Sequence, residues 1–378
     1  MIEIMNKLVI ISFSNISRDP RVLRQIEVLS GVYDLEVFGF GPDPRDERIS
    51  FVDVGSLDAG FSLWKICGAI RLLARRFDSF YWNTPWVANA RKLISGKHPV
   101  AVIANDISAL PIAFEFNAPV LYDAHEYSPR EYEESFKWRL FFQDYVNYIC
   151  SKYLPKISAM TTVCDGIRNE YSKCYGVNAD IVHNAPFWQN PNFKTTDPKR
   201  IRLIHHGAAD RSRQIESMID MMNLLDERFS LILMLVGEGR YIESLKNRAK
   251  ENKRIKFVDP VKTNDICKAI GEYDIGLYIL KPTNFNNAHA LPNKFFEFIQ
   301  SGLALAIGPS VEMKALVEKY ACGIVSDSFD PSSLAEKLNK LSSEDVDGLK
   351  RASIVAAKSL GFESDADVLK NSVSRIVG

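Results

Sequence analysis

The sequence predicts an α/β fold made of two Rossmann-like, doubly wound domains. Its 378 residues, 46% of them hydrophobic, are enough for two domains with complete cores. Short apolar runs alternate with longer segments of helical period in both halves, which is typical of parallel sheets covered by helices. An Asn- and Pro-rich stretch at 181–186 interrupts this alternation, and we expect the linker there. Residues 1–186 and 187–361 are therefore the expected domains.

The predicted strands follow the apolar runs. In the first domain they span 7–13, 35–40, 50–54, 79–82, 100–104, 120–122 and 160–163, and in the second 201–205, 230–236, 255–257, 275–278, 304–307 and 323–325. Helical patterns follow at 21–29, from about Leu291 onward and at 362–377. Ligands of such sheets bind beyond the carboxyl ends of the strands, so the residues that follow each strand are the candidates for a site.

Composition excludes some classes of protein. Lys+Arg and Asp+Glu balance at 47 each, which gives no electrostatic argument for a nucleic-acid partner. The six cysteines show no CxxC pair and no metal-ligand spacing, which favours a reduced, cytoplasmic setting. The apolar run at the start is too short for a secretory signal or a membrane span and is expected to be the first strand.

The segment 288–302, AHALPNKFFEFIQSG, has the strongest pattern for a ligand site. Pro292 suits the first turn of a helix, and apolar residues at helical spacing bury one side of it. Lys294 and Glu297 share another face near the helix N-terminus, where backbone N–H groups attract an anion such as a diphosphate. Lys294 would add a charge there, and Glu297 could accept two hydrogen bonds from a ribose diol. The alternative is an ordinary surface ion pair.

The run LPNKFFEFIQSGLALAIG resembles the donor-binding segment of retaining glycosyltransferases of the GT-B fold, broadly family 4, the glycosyl transferases group 1. The resemblance implies that the two domains face a cleft and that the C-terminal helix, 362–378, packs back on the first domain. Glu297 matches the glutamate that binds the nucleotide ribose in that family. His289 stands where the family has another glutamate, which puts the usual contact to a sugar hydroxyl in doubt.

Other turns of the second domain match donor contacts of the family. After the strand at 201–205, Gly207 would let the backbone approach a ligand, and arginines could bind phosphate. Ala208 replaces the family arginine, so Arg213, with Arg211 in reserve, inherits the diphosphate role, unless both are solvated arginines at a helix start. The remaining expected donor residues are Gly237, Glu238, Val261, His289, Ala290, Leu291, Pro292, Asn293, Lys294 and Glu297.

The acceptor side is expected in the first domain. The loop after the first strand contains Ser14, Asn15 and Arg18 and lacks GxGxxG, so no NAD-type fingerprint is present; it resembles the family loop that borders the acceptor, or is a plain capped turn. His125, in DAHEYSPREY, matches a histidine that the family keeps beside the transferred sugar, although a lone histidine there can be structural. Asp106 and Glu126 are further candidates, with helix capping or strand-end solvation as the alternative.

Aromatic and basic residues mix in two segments of the first domain, 64–77 and 136–142, and again near 152–156. In the first of these, Ile66, Ala69, Ile70, Leu73 and Phe77 recur at helical spacing. Such a stripe either packs on the sheet with a solvated basic edge or docks on an anionic membrane.

The resemblance implies a retaining transferase that moves a sugar from a UDP- or GDP-type donor to a glycan or lipid-linked acceptor, with His125, Arg213, Lys294 and Glu297 as catalytic residues. We expect no metal or other cofactor, because no DxD lies at a strand end. The expected setting is the cytoplasm, with contact to the inner face of the membrane and a role in cell-surface polysaccharide synthesis. The alternatives are a GT-B pseudoenzyme that supports a partner transferase, suggested by Ala208 and His289, and a nucleotide-sugar epimerase.

Overall fold

The computed structural model describes residues 6–55 and 63–378. Its contacts divide the chain into two compact units. The first contains the described residues up to Val182, together with Asn284–Asn286 and Asp365–Gly378. The second contains His183–Thr283 and Asn287–Ser364. This division falls after Val182, whereas the sequence analysis places the boundary after Pro186.

The described part of the first unit contains a parallel sheet in the order β3-β2-β1-β4-β5-β6-β7. Its strands are β1 (Lys7–Asn15), β2 (Asp34–Phe40), β3 (Ile49–Asp53), β4 (Ala101–Asn105), β5 (Val120–Ala124), β6 (Ala159–Thr162) and β7 (Asp180–Ile181). Its helices are α1 (Pro20–Leu29), α2 (Leu63–Leu73), α3 (Phe77–Trp82), α4 (Pro85–Leu93), α5 (Asp106–Ala113), α6 (Phe136–Trp138), α7 (Asp144–Tyr153) and α8 (Asp165–Tyr175). The central strands are buried on both faces, as their near-continuous apolar runs require.

The second unit repeats this topology, with a parallel sheet in the order β10-β9-β8-β11-β12-β13. Its strands are β8 (Ile201–Ala209), β9 (Phe229–Gly237), β10 (Ile255–Val258), β11 (Ile275–Tyr278), β12 (Ala304–Ile307) and β13 (Gly323–Val325). The remaining helices are α9 (Ile215–Met221), α10 (Gly239–Ala249), α11 (Ile266–Ile270), α12 (Phe285–Ala288), α13 (Asn293–Gln300), α14 (Val311–Tyr320), α15 (Pro331–Asn339), α16 (Ser343–Ser359) and α17 (Phe362–Val377). The boundary between the two units falls within α12 and within α17, so each of these helices has residues in both units.

Both sheets reverse their strand order beside a central strand, at β1/β4 and at β8/β11. A crevice opens at such a switch point because the two crossover helices leave on opposite faces of the sheet. In the second unit, α13 packs closely on the sheet near this point. A Cβ placed on Gly276 of β11 would lie 2.3 Å from Cγ of Phe298, so only glycine permits this approach of helix to strand.

Two predicted elements are wrong. Residues 79–82 are helical rather than extended, because Phe77 and Tyr81 are buried at a spacing of four residues in α3. The helix that carries Lys294 begins at Asn293, and Pro292 is its N-cap with φ −80° and ψ 160° rather than a first-turn residue. Proline tolerates this extended conformation as readily as the helical one, so its position alone did not fix the boundary.

Candidate functional site

Lys294 is the most unusual charged residue of the second unit. It lies in the first turn of α13 with 5% of its surface exposed, and its Nζ has no hydrogen-bond partner among the described residues. Nζ lies 4.5 Å from the centroid of the Tyr278 ring, at the end of β11. Gly207 leaves room for it: this residue has φ +114°, and a Cβ there would lie 3.2 Å from Nζ. Glycine at 207 therefore serves both the backbone conformation and the lysine.

Arg213 approaches the same tyrosine. Its Nη1 donates a hydrogen bond of 3.3 Å to Oη of Tyr278. Arg211 instead stacks over the ring of Tyr241 at 4.7 Å. The structure therefore brings Arg213 together with Lys294, and it directs Arg211 to another aromatic ring.

The electrostatics of this cluster are unbalanced. Burial lowers the pKa of Lys294 well below its ordinary value, Arg213 lowers it further, and Glu297 offsets only part of the shift. Burial and Lys294 also lower the pKa of His206, to about 3, and that of the fully buried His205. Both histidines are therefore neutral at physiological pH, and neither competes with Lys294 for an anion. A buried cation without a counter-charge is costly unless an anion joins it, so the cluster is suited to bind one.

Glu297 lies one turn further along α13, and its side chain is 12% exposed. Its Oε2 is 3.4 Å from Nε2 of His206, whose ring packs edge-to-face on Phe298. Sequence reasoning missed His206, although its place directly before Gly207 at a strand end was a usable signal. The structure thus places the carboxylate of Glu297 beside Lys294 and close to a neutral imidazole.

The other predicted donor residues end or follow strands of the second sheet, or precede or begin α13. Gly237 ends β9 with φ +139°, and Glu238 is the N-cap of α10. Val261 is 39% exposed in the loop after β10. Ahead of α13, Ala290 is half-buried, Leu291 is buried, and Oδ1 of Asn293 is buried without a hydrogen-bond partner among the described residues.

His289 occupies the position of the family glutamate. Its Nδ1 lies 3.0 Å from Oε1 of Glu312, which is on α14. The position is therefore still polar, and an acidic neighbour orients the imidazole.

The first unit has a different arrangement, centred on the buried Asp123 at the end of β5. This carboxylate accepts hydrogen bonds from Arg21 Nε at 2.6 Å, Gln25 Nε2 at 2.7 Å and Thr161 Oγ1 at 2.6 Å. Burial opposes its charge, but Arg21 outweighs this effect and lowers the pKa of Asp123. The sequence analysis did not single out Arg21 or Asp123, which are 102 positions apart.

His125 follows β5 and lies next to this network. Its Nδ1 is 3.2 Å from Oδ2 of Asp106, and its Nε2 lies 3.3 Å from Oδ1 of Asn105 and 3.6 Å from Oδ2 of Asp123. Burial lowers the pKa of His125, but the two carboxylates outweigh burial and raise it. Asp106 has φ +62°, a left-handed conformation uncommon outside glycine, which is a sign of local strain beside the imidazole.

The remaining residues predicted for the acceptor side lie at the same end of the first sheet. Ser14 Oγ donates to Oδ2 of Asp19 at 2.6 Å, and Asn15 accepts a hydrogen bond from Ser17. Arg18 and Glu126 are exposed. Ser14 thus supports the N-cap of α1, since Asp19 caps that helix.

Comparison with known proteins finds a family match within the second unit and a shared fold over nearly the whole chain. Residues 200–344 match the sequence model of the family described as glycosyl transferases group 1. The predicted resemblance to this family is confirmed. No curated protein sequence matches the chain.

Solved structures share the fold at low sequence identity. Sucrose-phosphate synthase from Thermosynechococcus elongatus matches with a TM-score of 0.71 and 12% identity, over 98% of each chain. Anabaena HepE in complex with UDP-glucose matches with a TM-score of 0.71 and 14% identity, over 98% of this chain and 99% of that one. WaaG, a glycosyltransferase involved in lipopolysaccharide biosynthesis, matches with a TM-score of 0.66 and 14% identity, over 96% and 99%. The predicted fold class, GT-B with two Rossmann-like domains, is confirmed.

Replacing Lys294 by Met should stabilise the free protein. The folded state lowers the pKa of Lys294 below the ordinary 10.5, so the unfolded chain binds its proton more tightly. Stability is therefore lost as pH falls from 10.5 to the folded-state pKa. At pH 7 the Met variant should unfold at a higher temperature than the parent, as measured by calorimetry. Lys268→Met, at an exposed site, is the control and should change little. A lower melting temperature for Lys294→Met than for the control would contradict the uncompensated charge.

Proposed function

We propose that the chain is a retaining glycosyltransferase that moves a sugar from a UDP- or GDP-type donor to a glycan or lipid-linked acceptor. The observation that supports this most is Lys294, a buried ammonium without a hydrogen-bond partner among the described residues, beside Arg213 and the N-terminus of α13. The diphosphate of a nucleotide sugar supplies the missing negative charge. Glu297 is one turn away and can accept hydrogen bonds from a ribose diol.

In the proposed reaction the bond between the anomeric carbon and the diphosphate oxygen breaks, and the acceptor oxygen bonds to the same face of that carbon. The acceptor proton passes to a phosphate oxygen of the departing diphosphate. Arg213 and Lys294 stabilise the charge that develops on the diphosphate, a role open to preorganised cations without a metal ion. His125 is assigned to the transferred sugar by resemblance, and the carboxylates that raise its pKa favour its protonated form.

The proposed setting is the cytoplasmic face of a membrane, in the synthesis of a cell-surface polysaccharide. No described helix is long and apolar enough to span a bilayer. However, α2 turns apolar side chains outward: Ile66, Ile70 and Leu73 are 44%, 61% and 56% exposed. The alternative expectation, that this stripe packs on the sheet, is wrong for these three residues. Outward apolar groups flanked by cations are typical of surfaces that bind anionic lipid.

The pseudoenzyme alternative rests on Ala208 and His289, which replace the family's arginine and glutamate. Hydrolysis of a nucleotide sugar with retention of configuration, followed by NMR, separates an active enzyme from this alternative. Isomerisation of the nucleotide sugar without an acceptor would instead indicate an epimerase. Thermal-shift measurements across a panel of nucleotide sugars would identify the donor.

The donor assignment predicts different losses for nucleoside and nucleoside diphosphate. Glu297→Ala should lower the affinity for both ligands by about tenfold or more, because a charge-assisted hydrogen bond contributes roughly 1.5–3 kcal/mol. Arg213→Ala and Lys294→Ala should weaken binding of the diphosphate more than binding of the nucleoside. Isothermal calorimetry with each ligand measures this. Arg211→Ala is the matched control, since that side chain stacks on Tyr241. Equal losses for both ligands in Arg213→Ala would refute the phosphate role.

His125→Ala should lower turnover by about a hundredfold, the scale of losing one preorganised group at the reacting centre. Affinity for the nucleoside diphosphate should stay unchanged, because its phosphates are assigned to residues of the second unit. Initial rates and titrations with the nucleoside diphosphate measure the two quantities, and His98→Ala, at an exposed site, is the control. Full turnover in His125→Ala would remove this histidine from the mechanism.

The membrane assignment predicts salt-sensitive binding to vesicles. The protein should sediment with vesicles of phosphatidylcholine and phosphatidylglycerol at low salt, and less at high salt, because screening weakens attraction to anionic lipid. Ile70→Ser with Leu73→Ser should reduce binding, whereas Leu224→Ser, an equally exposed site of the second unit, should not. Equal and negligible binding to neutral and anionic vesicles would refute the membrane assignment and indicate a soluble acceptor.

A further inference from the structure

The first unit contains an apolar cavity that the proposed catalytic residues do not use. It encloses about 510 Å³, a volume typical of small-molecule sites, and α2, α3, α4 and α7 contribute to its walls. Its lining is aromatic and aliphatic, including Trp64, Leu72, Phe80, Trp86 and Phe142. A second cavity of about 430 Å³, lined by Tyr132 and Trp138, shares Phe141 and Phe142 with the first. The two cavities therefore adjoin at these two rings, and we refer to the pair as the apolar channel.

Two polar side chains of the first cavity's wall are hydrogen-bonded within it. Tyr81 Oη donates to the carbonyl of Ser108 at 2.9 Å, and Thr84 Oγ1 donates to the carbonyl of Phe80 at 3.0 Å. Nε1 of Trp64 is instead buried without a hydrogen-bond partner among the described residues. The wall is therefore largely apolar, and Trp64 can donate to a ligand oxygen.

A row of aromatic rings connects this cavity with the acceptor-side loop. Trp64 packs on Trp86 at 5.5 Å, Trp86 on Phe40 at 6.1 Å, and Phe40 on Phe13 at 5.8 Å, measured between ring centroids. Phe13 directly precedes Ser14 in β1. The cavity also borders Ser108, two residues after Asp106 in α5. Ring contacts therefore link the wall of the cavity to the strand end that carries Ser14.

Cations at the cavity walls add a preference for an anionic head. Lys65 lines the first cavity and Lys137 the second. Arg75 pairs with Asp144, whereas neither Lys65 nor Lys137 forms an ion pair with another described residue. Unpaired lysines beside an apolar channel complement an amphiphile that carries phosphate on a hydrocarbon chain.

We infer that this channel, lined by the walls of the two cavities, binds the hydrocarbon chain of a phosphate-bearing lipid, the carrier of the acceptor. The inference rests on the proposed function for the identity of this lipid as an acceptor. Binding of the chain itself does not depend on transfer and can be measured without a donor.

A tail-brominated dodecyl phosphate, below its micelle concentration, tests the channel in the full-length protein. Bromine quenches indole fluorescence at short range, so a tail beside Trp64 and Trp86 should give saturable quenching. Ethyl phosphate, which has no tail, should not protect against it. Ala69→Phe, which places a ring in the cavity, should weaken binding by about tenfold, a change of 1.4 kcal/mol. Ala74→Phe adds the same ring at an exposed position after α2 and should not.

The charge of the head is tested in parallel. The double variant Lys65→Glu with Lys137→Glu should weaken binding of the phosphate amphiphile more than binding of a tail-brominated dodecyl maltoside. Lys92→Glu, at an exposed site, is the control. Melting curves show that each variant is folded. No quenching in the parent, or equal quenching in Ala69→Phe and Ala74→Phe, would overturn the inference even if the protein transfers sugar. Saturable quenching in a protein without any nucleotide-sugar activity would keep the channel and refute the proposed function.

Discussion

The ammonium of Lys294 is buried against the ring of Tyr278, and the chemistry of the second unit depends on how that charge is tolerated. The ring offsets part of the cost of burial, by about 2 kcal/mol in a desolvated cation–π contact. Gly207 supplies space, and the two adjacent histidines stay neutral. What these neighbours do not supply is a full negative charge. The protonated form of Lys294 is therefore destabilising in the free protein, and a bound diphosphate would favour it, which is how a binding site comes to cost stability.

The two units use one topology for opposite electrostatic arrangements. In both, the strand order reverses beside the first strand, which gathers loop residues at one crevice. In the second unit, Nζ of Lys294 has no hydrogen-bond partner among the residues that the structure describes. The first unit surrounds the buried Asp123 with donors, and Arg21 balances its charge. Removing one partner of such a buried pair typically costs about 3–5 kcal/mol, so this network fixes the loops around His125 rather than offering a site for an anion.

The first unit also has an apolar region, formed by α2 and the apolar channel. Three apolar side chains of α2, those of Ile66, Ile70 and Leu73, face outward, whereas Leu72 of the same helix is buried and lines the apolar channel. Exposed apolar surface has no benefit for an isolated soluble domain, and patches of this kind are associated with interaction sites. An anionic lipid would satisfy both the apolar surface and the unpaired lysines. In the proposed function, separate units would therefore bind the donor phosphates and the carrier lipid, through different forces.

The sequence by itself determined the alternation of strands and helices, because apolar runs of strand length are buried on both faces of a parallel sheet whatever their neighbours. It also determined that Lys294 and Glu297 lie on one helix near its N-terminus, since a helix start is a local feature of the sequence. Residues 79–82 were misread because four residues are too few to separate a period of two from one of 3.6. Only the tertiary structure decided that Lys294 is buried on Tyr278, that Arg213 rather than Arg211 joins it, that Arg21 pairs with Asp123, and that α2 faces outward. Each of these depends on side chains far apart in the chain, and their contacts and burial are not encoded in any local pattern.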